Sequence, residues 1–150
     1  MFTYAYDEKA CAAVFLFTGD TNDDEDFERY IEAVDELDRL ANGRPEAAVV
    51  TFVERGNPPP NAKWRQKIGE RSRLLKTRAV AVLVSESPMI RGVMTVLNWI
   101  APKRFEDQTT LATWEEAITW VEARRGSRRL VLNVLLREAQ VDAERRRAKR

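Results

Sequence analysis

The sequence predicts an α/β fold: a mainly parallel mixed sheet of four to five strands with flanking helices, followed by a C-terminal helical extension. Three observations carry that expectation. The apolar runs at 12–18, 47–53 and 79–84 are continuous rather than alternating, as in strands covered on both faces. Segments with helical spacing of apolar residues separate these runs, so strands and helices alternate from residue 12 to residue 125. The connections are short, which favours one layered unit with parallel strands.

The elements follow in order. Phe2-Thr-Tyr-Ala-Tyr6 alternates aromatic and small residues at period two, and Asp7-Glu-Lys9 breaks it, so residues 2–18 read as a hairpin leading into a buried strand. Gly19-Asp-Thr-Asn-Asp23 supplies a turn and a helix cap. Phe27, Tyr30, Ile31, Val34, Leu37 and Leu40 then recur at helical spacing over 23–41, until Asn42-Gly43 ends the helix. Its carboxylates gather toward the N-terminal turn, where the helix dipole favours them. After the strand at 47–53, three prolines at 58–60 forbid helix until Asn61 caps a basic one over about 62–77, carrying Trp64, Ile68, Leu74 and Leu75. Ser85-Glu-Ser-Pro88 starts a helix expected over 88–100, apolar nearly all round. Residues 103–107 read as a short edge strand. Thr113-Trp-Glu-Glu116 opens a further helix that closes at Arg125-Gly126. The expected organisation is an α/β domain at 1–126 and a basic helical extension at 127–150.

Composition excludes much chemistry. The chain has 150 residues, no histidine and one cysteine, Cys11. Without imidazole there is no Ser-His-Asp triad, no histidine metal ligand and no proton shuttle titrating near neutrality. A single cysteine forms no intrachain disulfide or thiolate zinc cluster, and Cys11 reads as a small buried hydrophobe. The longest strongly apolar runs, at 80–84 and 130–136, fall far short of the roughly 20 residues that span a bilayer. The first nine residues lack the pattern of a signal peptide, so a cytoplasmic protein is expected. The net charge of +1 is a cancellation: residues 20–38 hold ten carboxylates and one arginine, residues 63–78 hold seven cations and one glutamate, and residues 124–150 hold ten cations and three carboxylates.

Ser87-Pro-Met-Ile-Arg91-Gly-Val-Met-Thr-Val-Leu-Asn-Trp99, then Arg104-Phe-Glu-Asp107 and Thr113-Trp-Glu-Glu-Ala-Ile-Thr-Trp120, follow the buried strand at 79–84. Together with the strand, strand, helix, strand, helix order before them, they resemble the STAS-like (SpoIIAA-like, anti-anti-sigma-factor-like) domain family over about four-fifths of the chain. That resemblance implies a non-enzymatic module that docks on a partner, in some members under control of serine or threonine phosphorylation at the start of the helix after the middle strand. Here the matching segment, 53–61, contains no serine or threonine.

Candidate sites lie at strand ends, where ligands favour the crevice of an open α/β sheet. Arg55, Asn57 and Asn61 follow the second buried strand, with stiffening of a surface loop and helix capping as the structural alternative. Ser85 and Ser87 follow the third, where capping also explains them. Arg91 is placed to meet an anion or a partner carboxylate, or to pair within the chain. Asp20, Asp23, Asp24 and Asp26 lack the glycine and distal glutamate of a calcium loop, and no metal or cofactor is expected. In the extension, Leu130, Val131, Val134 and Leu135 read as a face that packs on the domain or on a second subunit. Arg145, Arg146 and Arg147 read as a basic end for nucleic acid, an anionic membrane surface or the acidic helix of another copy. The expected function is a non-catalytic protein-interaction or regulatory module, not an enzyme, with a protein partner and self-association as a homo-oligomer. Two alternatives remain open: a small-ligand or anion binder at the strand-end loops, and a nucleic-acid or membrane-surface binder through the extension.

Overall fold

The computed structural model describes residues 1–93 and 107–149. Five strands form one sheet in the order β1 (Phe2–Asp7), β2 (Ala12–Phe17), β3 (Ala48–Val53), β4 (Val80–Val84) and β5 (Gln108–Leu111). β1 and β2 are an antiparallel hairpin with Phe2 opposite Phe17, and every later neighbour is parallel. The hairpin turn closes at Cys11, whose φ of 50° lies in the left-handed region and whose N–H donates to the Glu8 carbonyl at 3.2 Å. The edge strand falls at 108–111 rather than at 103–107. Of the expected strand, Asp107 is a turn residue and 103–106 lie outside the described residues.

Strand residues alternate between two apolar layers. Ala12, Val14, Ala48, Val50, Val80 and Val82 face α3 (Trp114–Arg125) and α4 (Arg129–Arg147), meeting Ile118, Val121, Leu132 and Leu135. Phe15, Phe17, Val53 and Leu83 face the other way, toward Phe27 and Ala33 of α1 (Asp24–Ala41) and Trp64 of α2 (Ala62–Ser72). Caps set the helix starts. Asp23 and Asp26 make a capping box on α1, Asn61 accepts the Trp64 N–H, and Thr113 and Glu116 make a second box on α3. α2 ends at Ser72, short of the expected residue 77, because the Lys76 and Thr77 N–H groups turn away to the Asp38 carboxylate. Residues 88–93 are helical, and the remainder of the helix expected there lies outside the described residues.

The C-terminal helix α4 lies across β1 and β2. The Thr3 hydroxyl donates to the Ala139 carbonyl at 2.9 Å, a close approach that small residues at 139 and 143 permit. Arg128, before the helix, donates to the carbonyls of Ala10 and Glu46. The buried stripe is Leu132, Leu135, Ala139 and Ala143. Leu130 and Val134, expected on the packing face beside Val131 and Leu135, are 79% and 47% exposed, and Val131 is half-buried. Residues 130–136 are apolar on nearly every side, so periodicity alone does not choose the face; alanines beyond them complete the buried stripe. Leu132→Ala is expected to cost about 2–5 kcal/mol through cavity formation, and Leu130→Ala less than about 0.5 kcal/mol. Denaturant midpoints of the full chain measure both.

Candidate functional site

The acidic helix and the basic helix meet each other. Lys63 pairs with Asp24 at 2.6 Å, Arg71 pairs with Asp35, and the Trp64 indole N–H donates to Asp24 at 2.6 Å. Hydrogen bonds from Lys63 and Trp64 hold the Asp24 carboxyl below its ordinary range. Trp64 is buried, stacked on Phe27, with the ammonium groups of Lys63 and Lys67 over its ring. Asp38 anchors the other end of α1. Burial pushes its carboxyl up, but the Thr77 and Lys76 N–H groups outweigh that and hold it below the ordinary value of 3.8.

Between these helices and the sheet lies a cavity of about 940 Å³. Its floor is the middle of the sheet: Val49 and Thr51 of β3 and Ala81 of β4 are only half-buried, where a parallel sheet ordinarily carries a full cover. Phe15, Phe17, Tyr30, Val34, Leu37, Ile68 and Ile90 supply apolar walls. Desolvation pushes the Tyr30 hydroxyl up to about 12, so the ring contributes a neutral polar tip. Gly69 of α2 and Gly92 also line the cavity, and among the described residues nothing lies within 4 Å of where a Cβ of either would stand. The volume lies at the upper end of the range for small-molecule sites.

At the strand ends, buried Asn57 donates to the Thr18 and Gly19 carbonyls at 3.3 and 3.1 Å, while the Asn22 amide donates to Asn57 Oδ1 at 2.7 Å and to the Pro58 carbonyl at 3.1 Å. Thr18 donates to Glu54, and Arg147 from the end of α4 reaches Thr18 and lies 3.8 Å from Glu54. Asn57 lines the cavity together with Pro58, Pro59 and Pro60. Arg55 and Asn61 are exposed, and of the strand-end candidates Arg55, Asn57, Asn61 and Arg91 only Asn57 is among the cavity-lining residues, so the four do not enclose one pocket. Arg91 donates to the Ser85 carbonyl at 2.7 Å; Ser85 accepts the Ser87 N–H, and Ser87 accepts the Ile90 N–H at 3.4 Å. Arg146 pairs with Asp142, and Arg145 is exposed.

Sequence reasoning missed the cavity wall. Its floor residues read as ordinary buried strand, and the one local signal was a glycine inside each of two helical segments. Among the described residues no group of three or more metal-ligating side chains converges, and no helix is long and apolar enough to cross a membrane. Comparison with protein-family models, with curated proteins and with solved structures finds no match.

Asp38 has a folded-state value below its unfolded one, so its contribution to stability is complete above the unfolded value and is lost as pH falls through the folded value. Urea midpoints followed from about pH 5 to about pH 2 are expected to fall, and Asp38→Asn is expected to make that fall shallower.

Proposed function

We propose that this chain is a non-catalytic binding module whose α1/α2 face takes a small, largely apolar molecule. The cavity over the half-covered centre of the sheet carries the proposal: it offers apolar walls, a few polar groups and open space at Gly69 and Gly92. The strand, strand, helix, strand, helix, strand order along the chain supports reading the domain as STAS-like. The environment-sensitive neutral dye Nile red is expected to bind the full chain saturably with a blue-shifted emission. Gly69→Phe is expected to abolish that binding with unchanged far-ultraviolet circular dichroism and an equal or higher denaturation midpoint, since replacing a helical glycine favours the helix by up to about 1 kcal/mol. Absence of saturable binding to the unsubstituted chain overturns the proposal.

A second role, self-association through α4, is favoured by the exposure of Leu130 and Val134, one helical turn apart on the outer surface. Sedimentation equilibrium is expected to show a dimer at micromolar concentration, and Leu130→Lys with Val134→Lys is expected to return it to monomer with the fold intact. A monomeric unsubstituted chain removes this role.

A further inference from the structure

The proposed binding role leaves the chemistry of the ligand open, and the charges on α2 narrow it. Positions 65, 69 and 73 are spaced i, i+4, i+8, one above another on a helix face, and all three line the cavity. Gly69 leaves open space in the middle of that row, with an arginine at each end, about 12 Å apart along the axis at 1.5 Å per residue.

The acidic groups on the cavity wall are already engaged. Asp38 accepts the Lys76 and Thr77 N–H groups, and Glu70 accepts the Gln66 amide at 2.8 Å. Arg65 donates to the Pro60 carbonyl at 2.8 Å, likewise a neutral partner. Among the described residues, no carboxylate pairs with Arg65 or Arg73. Met89, on the same wall, is 64% exposed. An apolar chamber thus opens beside two guanidinium groups that pair with no carboxylate among the described residues, on a segment with seven cations and one glutamate between residues 63 and 78. An anionic head can pair with a guanidinium there, and a neutral head gains little.

We propose, resting on the binding role above, that the ligand is a long-chain carboxylate. Its hydrocarbon chain lies over Val49, Thr51 and Ala81, and its anionic head is met by the guanidinium at one end of the row, Arg73. The guanidinium fork suits a planar carboxylate, and this pairing is stronger than a neutral hydrogen bond.

Calorimetric titration of the full chain with decanoate, decanol and decyltrimethylammonium, each below its aggregation concentration, tests this. Decanoate is expected to bind about tenfold tighter than decanol, the effect of one charged hydrogen bond, and decyltrimethylammonium not at all. Affinity is expected to rise about fourfold per added methylene from octanoate to decanoate. Arg73→Gln is expected to remove most of the decanoate preference while leaving decanol binding unchanged, and Arg73→Lys to restore part of it. Equal binding of decanoate and decanol, or a preference insensitive to both Arg73→Gln and Arg65→Gln, overturns the carboxylate assignment and leaves the apolar role standing. Failure of all three ligands to bind overturns both.

Discussion

A parallel sheet has to be covered on both faces, and the placement of every helix described here answers to that constraint. Val14, Val50 and Val82 point to one side and Phe15, Phe17 and Leu83 to the other, so both sides are apolar. One side is closed by α3 and α4, with Ile118, Val121, Leu132 and Leu135 filling the space. The other is closed by α1 and by Trp64 of α2 over its margin, while Val49, Thr51 and Ala81 at its centre border a cavity. The proposed binding role rests on that difference between the faces.

Charge arranges what apolar burial alone leaves undetermined. A helix dense in carboxylates beside a helix dense in cations pairs in one register, with Asp24 on Lys63 and Asp35 on Arg71, while Asp38 collects the backbone after α2. Exposed pairs of this kind contribute little individually to stability. Their consequence is geometric: they hold two helices at the margin of the cavity and leave Arg65 and Arg73 without acidic partners among the described residues. The same pairing occupies two α1 carboxylates that a basic tail from another copy would otherwise meet. Arg147 of that tail reaches Thr18 and Glu54 of its own chain instead.

Much of this was legible in the residues. Continuous apolar runs marked the three central strands, aromatic alternation marked the first hairpin strand, and Asp23, Asn61 and Thr113 cap the helices they were expected to cap. The losses have physical causes. The edge strand Gln-Thr-Thr-Leu at 108–111 has weak apolar character, and its pairing with β4 is a tertiary event. The packing face of α4 is ambiguous in a stretch apolar on every side. Arg55, Asn57, Asn61 and Arg91 share strand-end positions in sequence, yet only Asn57 among the four is buried, its amide donating to the Thr18 and Gly19 carbonyls.

The sequence by itself determined the alternation of strands and helices, the caps that begin those helices, and the absence of imidazole chemistry, since each depends on residue type and spacing over a few positions. Only the tertiary structure decided which carboxylates meet which cations, which stripe of α4 is buried, and that the centre of one sheet face borders a cavity lined also by Gly69 and Gly92. Those properties depend on the distance between segments remote in the chain, and on how completely side chains from different elements fill the space between them.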